Sequence, residues 1–391
     1  MARVLLVPWG SGNGHIMRML ALARVGRESA HEFTIATDTP SQQDLVTREG
    51  FEAVTLGDPW AARVGSWGGW HIEERVAEGV RSDLRLLDQT QPTVVIHDGR
   101  PTLAIACWRR GVRCTAVLQS IHLPQHRYAG RGVEEIWTSG NATFHAVLAR
   151  MGSSYRMSDL RELISGPPTF IPSFPPFDAL GAEVDGSRYI GPLTGVSSPL
   201  PARRAGPEPD RDVVLYRMVG TPQLLRSAER AFGELAERVH IVTGSAAETA
   251  ALRNASAGAF AISTLLPADT LSHARVAFTH GGHGITLTML QLGVPSVVAP
   301  GGSPERAENG DRLEHLGAGV VLRGTAPIHS WAAHDAREAT FDWRTVRDAV
   351  HVVAEEEAYR AAARSLSTAL ARYDLATEYR RLFMSASVPE L

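Results

Sequence analysis

The sequence predicts an α/β protein of two doubly wound parallel-sheet domains, and three observations carry that prediction. Short apolar runs alternate with stretches of helical apolar spacing in both halves of the chain. A stretch rich in Pro, Gly, Ser and Arg, without periodicity, separates the halves between about Gly191 and Arg211. Each half also contains a strand that runs into a glycine-rich corner and then a helix, at Trp9–His15 and at His280–Gly284. The expected boundaries are a first domain over 1–190, a linker over 191–211, a second domain over 212–372 and a closing segment over 373–391.

Val4–Pro8 is an apolar run ending in Trp9-Gly10-Ser11-Gly12-Asn13-Gly14-His15, after which Met17, Leu20, Ala21 and Val25 recur at helical spacing. Phe33–Thr37 reads as the second strand, Phe51–Leu56 as the third and Thr93–His97 as the fourth. A helix over about Thr102–Arg110 and a fifth strand, Cys114–Leu118, follow. Such alternation implies parallel strands, with ligands beyond their carboxyl ends. The stiff, aromatic stretch from Gly166 to Phe177 reads as an extended connection along the first domain. Beyond the linker come strand Val213–Tyr216, helix Pro222–Arg238 and strands Val239–Thr243 and Phe260–Ile262. Val276–Thr279 is a buried strand and Ile285–Leu292 a helix, stopped by Gly293-Val294-Pro295 before strand Ser296–Ala299. Charged amphipathic helices over Arg344–Arg372 and Asp374–Phe383 close the chain.

A chain of 391 residues is long enough for two domains, each with its own core. Apolar residues at 44% and charged residues at 21% exclude a disordered protein. Lys+Arg 39 against Asp+Glu 42 gives a net charge of −3, so no basic surface argues for nucleic acid. Cys107 and Cys114 make neither a disulfide framework nor a zinc signature and read as buried thiols. No apolar run reaches the roughly 18 residues of a membrane span. Arg3 leads directly into the first strand, leaving no room for a signal peptide, so a cytoplasmic protein is expected.

The corner His280-Gly281-Gly282-His283-Gly284 is an anion site by construction. Free backbone N–H groups and the positive end of the helix dipole meet where glycines admit a close approach, and His280 adds a side-chain donor. A diphosphate fits it. His15, at the first turn of a helix after Gly12-Asn13-Gly14, would tend to stay neutral there and able to accept a proton. A helix cap or a phosphate donor are its other readings. Asp98, at the carboxyl end of the fourth strand, is either the acceptor that orients His15 or an N-cap for the next helix; Asp38 is a weaker candidate. Trp60, Trp67 and Trp70 lie in a glycine-rich segment, either stacking on a flat or greasy ligand or anchoring a loop. His122 and His126 follow the fifth strand without metal-ligand spacing.

The segment Arg275–Leu322 resembles the donor-binding half of the nucleotide-sugar-dependent glycosyltransferases of GT-B fold, nearest to the bacterial enzymes that decorate natural products. There a His-Gly-Gly-x-Gly-Thr corner holds the diphosphate, and a downstream acidic-Gln pair a few residues before an Asn holds sugar hydroxyls. Here these are His280, Gly281, Gly282, His283, Gly284 and Ile285, then Glu305-Arg306 with Asn309. Ile285 lacks the threonine hydroxyl, for which Thr286 is the nearest replacement. Arg306 stands in place of Gln and points to a donor whose sugar is not plain glucose. The resemblance implies two Rossmann-like domains facing across a cleft, with the last helix packed back on the first. It implies His15 and Asp98 as the catalytic pair, with the family's proline beyond the histidine replaced by Met17-Arg18-Met19. It implies donor contacts from Gly12, Gly14, Thr221 and Leu266, the last against the nucleotide base, and an acceptor side carrying Trp60, Trp67, Trp70 and His122. The implied reaction is inverting transfer from a UDP- or dTDP-sugar to a small, hydrophobic or aromatic natural-product acceptor, as in antibiotic biosynthesis, with no metal or other cofactor. A homodimer is compatible with it. Another sugar-nucleotide enzyme on the same scaffold, an epimerase or a cell-wall precursor transferase, is the alternative. So is a non-catalytic helper protein.

Overall fold

The computed structural model describes residues 1–10, 13–29, 31–56, 70–127, 134–166, 168–178, 180, 182, 184, 186–194, 212–216, 232, 239–243, 246–256, 260–264, 271–300, 303–323 and 343–391. The chain forms two compact units, Met1–Leu193 with Tyr373–Leu391 and Thr194–His329 with Ala333–Arg372. Each holds one sheet whose pairings are all parallel.

The first sheet comprises β1 (Arg3–Val7), β2 (Glu32–Thr37), β3 (Glu52–Thr55), β4 (Val94–His97), β5 (Arg113–Val117), β6 (Thr169–Ile171) and β7 (Ser187–Tyr189), in the order β3-β2-β1-β4-β5-β6-β7. The order reverses between β1 and β4, so the loops leaving these two neighbours open a crevice at one sheet end. Helices α1 (Asn13–Gly26), α2 (Pro40–Arg48), α3 (Glu73–Thr90) and α4 (Pro101–Arg110) form crossovers. α5 (Glu134–Ser139), α6 (Asn141–Arg150) and α7 (Leu160–Ser165) follow β5. Both faces of β1 are buried. Val4 and Leu6 pack with Ile16, Met19 and Leu20 of α1, while Leu5 and Val7 pack with Leu86, Leu87, Leu103 and Cys107. That is why the strand reads as a continuous apolar run rather than an alternation.

The second sheet comprises β8 (Asp212–Tyr216), β9 (Val239–Val242), β10 (Ala261–Ser263), β11 (Ala274–Thr279), β12 (Ser296–Val298) and β13 (Gly319–Val321), in the order β10-β9-β8-β11-β12-β13. Its reversal falls between β8 and β11, and β11 is the strand that runs into the His280 corner. Helices α8 (Ala246–Ser256), α9 (His283–Leu292), α10 (Pro304–His315), α11 (Trp343–Glu355) and α12 (Glu357–Leu370) belong to this unit. The final helix, α13 (Leu375–Ser385), belongs to the first.

Three local expectations change. The stretch 166–177 is no mere connection: Thr169–Ile171 is an inner strand, paired on both edges. Gly319–Val321 is likewise a strand. The expected helix Arg344–Arg372 is two helices, broken at Glu356, whose φ −79° and ψ 110° are extended. Glu355, Glu356 and Glu357 explain the break, since carboxylates oppose the dipole at a helix C-terminus and favour an N-terminus. Helix Pro222–Arg238 lies outside the described residues apart from Phe232. Cys107 and Cys114 are buried free thiols.

α13 packs against α1, and Asp374 caps it through Ala376 N–H. Arg113 of β5 donates to the carbonyls of Phe383, Met384 and Ala386, and Arg188 of β7 pairs with Glu378 at 2.9 Å. A Cβ on Gly26 would lie 2.3 Å from Phe33 Cζ and 2.7 Å from Tyr379 Cζ. Gly26→Ala is therefore expected to destabilise by about 1–3 kcal/mol despite alanine's better helix propensity. The denaturant midpoint checks this, and a midpoint at or above wild type would contradict the close packing.

Candidate active site

In the first unit the crevice at the β1/β4 switch point holds an ion-paired cluster around one carboxylate. Asp98 follows β4 directly and its side chain is fully buried. One carboxylate oxygen lies 2.7 Å from His15 Nδ1 and 3.2 Å from an Arg18 guanidinium nitrogen, and the other accepts from Trp9 N–H. Trp9 leaves β1 and His15 stands in the first turn of α1, so the paired strands β1 and β4 deliver both halves of the contact. The loop after β4 is fixed from below. Gly99 N–H donates to His97 Nδ1, and the buried Arg100 pairs with Asp83 of α3 at 2.8 Å. Thr102 Oγ1 donates to the same Asp83. The cap position of α4 is Arg100, not Asp98, so the capping alternative for Asp98 does not hold.

The His15 contact has a chemical consequence. An ionised carboxylate only accepts, so the neutral ring carries its proton on Nδ1 and offers the lone pair of Nε2. The His15 side chain keeps 28% of its surface exposed, whereas Asp98 keeps none. Arg18 was not read from sequence as a site residue, although it stands three positions after His15 and so on the same helix face. It supplies the carboxylate with a permanent cation beside the His15 ring.

His122 lies in the turn after β5, within reach of the charges of this cluster. Burial, followed by the charges of His15, Arg18, His126 and Arg161, holds its imidazole well below the usual histidine range. Its ring meets Trp137 edge-on at 5.6 Å. Trp70 takes the anchoring role rather than the stacking one: it is buried against Trp9, Trp137 and Phe144. Trp60, Trp67 and Gly12 lie outside the described residues. Gly14 is exposed, with open space where a Cβ would stand. The backbone N–H of Asp38 is held by Gln42, and the carboxylate on His15 is that of Asp98.

In the second unit the corner is braced from three sides. Gly281 has φ +77°, and its carbonyl accepts from Asn309 Nδ2 at 2.9 Å. Asn309 thus ties α10 to the corner. Gly282 is the extended residue that starts α9, and a Cβ on it would lie 2.4 Å from His280 Nε2. His283 is buried in the first turn; Gly284 has open space around it. Burial, then the charge of Arg306, pushes His280 down to about 3, so the ring is neutral at any working pH. Glu305 and Arg306 stand in the first turn of α10, which Ser303 caps by accepting from Arg306 N–H. Thr286 cannot replace the missing hydroxyl, because it is buried and donates to Gly282 carbonyl at 3.0 Å. Ile285 packs against the cluster containing Val214, Leu271 and Met289. Thr221 and Leu266 lie outside the described residues.

No known protein-family profile matches the chain. Comparison with solved structures gives CalG4, the calicheamicin glycosyltransferase, at TM-score 0.69 and 19% identity over 98% of both chains. The fold is that of the GT-B glycosyltransferases. The spinosyn rhamnosyltransferase SpnG superposes on this GT-B chain at TM-score 0.66 with 20% identity, covering 98% of it and 100% of SpnG. SpnG has also been solved with thymidine diphosphate and with the spinosyn aglycone. In sequence, the GT-B chain is 24% identical over 398 aligned positions to the PGL/p-HBAD biosynthesis rhamnosyltransferase of Mycobacterium bovis (strain BCG / Pasteur 1173P2), spanning 95% of this chain and 84% of that protein. Among the described residues no helix is long and apolar enough to cross a membrane, and no group of His, Cys, Asp and Glu has the arrangement of a metal site.

Proposed function

We propose that this chain, a glycosyltransferase by fold, moves a sugar from a dTDP- or UDP-sugar to a hydroxyl of a small natural-product acceptor, in the cytoplasm. The observation that carries the reading is the His15–Asp98 contact of 2.7 Å at a topological switch point. His15 Nε2 takes the acceptor's proton as its oxygen attacks the anomeric carbon, and Asp98 stabilises the imidazolium that forms. The glycosidic bond forms as the bond to the diphosphate oxygen breaks, in one inverting displacement. The leaving diphosphate takes its electron pair into the His280–Gly284 corner, where the α9 N-terminus and His280 oppose the developing charge. The mycobacterial relative and SpnG, both rhamnosyltransferases by name, favour a deoxysugar donor, and the thymidine diphosphate seen with SpnG favours dTDP.

Calorimetric titration with dTDP, UDP and GDP in EDTA tests the donor half. Metal-free binding of one diphosphate is the expected result and selects that nucleotide's sugars for transfer assays. Absence of binding to all three would sink the donor assignment and bring the helper-protein reading forward. Turnover of sugar nucleotide without any acceptor would favour the epimerase reading instead.

A further inference from the structure

The corner has lost one polar group and gained a cation. Ile285 offers no hydroxyl, and the Thr286 hydroxyl is spent on Gly282 carbonyl. Among the described residues, His280 and Arg306 are two side chains that can meet an anion at the start of α9. His280 Nδ1 is buried and makes no hydrogen bond among the described residues. Arg306 lies in the turn of α10 against the corner: a Cβ on Gly281 would stand 2.8 Å from its carbonyl oxygen. Its charge reaches the His280 imidazole. Among the described residues its guanidinium has neither a hydrogen bond nor an ion pair; Glu305 acts on it only through its charge. A half-buried guanidinium with no partner among the described residues gains when an anion joins it. A guanidinium fork matches phosphate oxygens in geometry as well as in charge.

We infer that Arg306 is a diphosphate-binding residue of the donor corner, doing with a charged fork what the missing hydroxyl does in relatives of the His-Gly-Gly-x-Gly-Thr pattern. The inference rests on the donor-site reading above. It moves Arg306 from the sugar to the leaving group, where it stabilises charge as the bond between the sugar and the diphosphate oxygen breaks.

The test compares wild type, Arg306→Gln, Arg306→Lys and Arg306→Gln/Ile285→Thr by metal-free calorimetry with dTDP, dTMP, UDP and UMP. Arg306→Gln is expected to weaken the preferred diphosphate by about 10–100-fold, the range for a hydrogen bond to a charged group. Its monophosphate should change by less than about threefold, since the contact is to the terminal phosphate. Arg306→Lys should keep part of the affinity, and Ile285→Thr should restore part of it in the Gln background. Unchanged diphosphate affinity in Arg306→Gln overturns the inference, as does an equal loss for mono- and diphosphate, which marks a structural role. Unchanged affinity for free diphosphate with lost preference for a glucuronic acid donor over a glucose donor also overturns it, assigning Arg306 to a sugar carboxylate. A wild type that binds no nucleotide rejects the donor site itself and is thereby told apart from failure of Arg306 alone.

Discussion

Replacing His15 with alanine is expected to lower turnover by about 10²–10⁴-fold, the usual contribution of a positioned base, while diphosphate affinity stays within about twofold. The affinity holds because, among the described residues, the bonds that shape the His280 corner come from Thr279, Thr286 and Asn309 and not from His15. The fold holds because Asp98 keeps Arg18 and the Trp9 N–H after the imidazole is gone. The decisive measurement is a single-turnover rate with enzyme in excess, alongside the thermal midpoint. A variant with wild-type midpoint and near-normal rate would remove His15 from the chemistry and leave it as a partner that merely neutralises Asp98. A variant that loses diphosphate binding as well would make His15 a donor contact, the other role its glycine-rich turn allows.

Gly281→Ala should have the largest effect on the second unit. The residue sits at φ +77°, where an L side chain is strained, and its new Cβ would lie 2.6 Å from Val298 Cγ1 and 2.8 Å from Arg306 carbonyl. Both neighbours belong to packed elements, β12 and α10, and neither is the loose end of a surface chain. Strain and overpacking together are worth about 2–5 kcal/mol. Relief by rotating the peptide would break the Asn309 bond to Gly281 carbonyl, so diphosphate binding should fall with stability. Gly284→Ala is the control, since nothing lies within 4 Å of its Cβ position and its φ is not positive. Equal denaturant midpoints for the two variants would show that the corner yields more readily than its packing implies.

The two sheets were legible in sequence because inner parallel strands are buried on both faces and leave continuous apolar runs, as in Val4–Val7 and Val94–Ile96. Thr169–Ile171 and Gly319–Val321 were not, because three residues between Pro or Gly carry no periodic signal. Asp98 could be placed on the same rim as His15, but its bond to His15 depends on β1 and β4 being neighbours. Strand order arises from pairings between segments distant in sequence and leaves no trace in either one. Arg18 was hidden for a different reason: a guanidinium on a helix usually reads as a solvated face, and only the buried Asp98 makes it part of a site. Arg306 stands out in sequence as a departure from the acidic-Gln pair, but the reach of its charge to His280 is set by the fold rather than by spacing.

The return of the last helix to the first unit governs how the protein emerges from the ribosome. Ile16, Leu20 and Phe33 share a cluster with Tyr379 and Leu382, so part of the apolar surface around α1 waits for a segment made after the second unit. At about 5–20 residues per second, synthesis of the intervening unit leaves that surface uncovered for on the order of ten seconds or more. The second unit has all its strands and can close during this interval. The first unit is completed only after the second has been made, which leaves the Tyr379–Leu382 surface a poor place for a truncation.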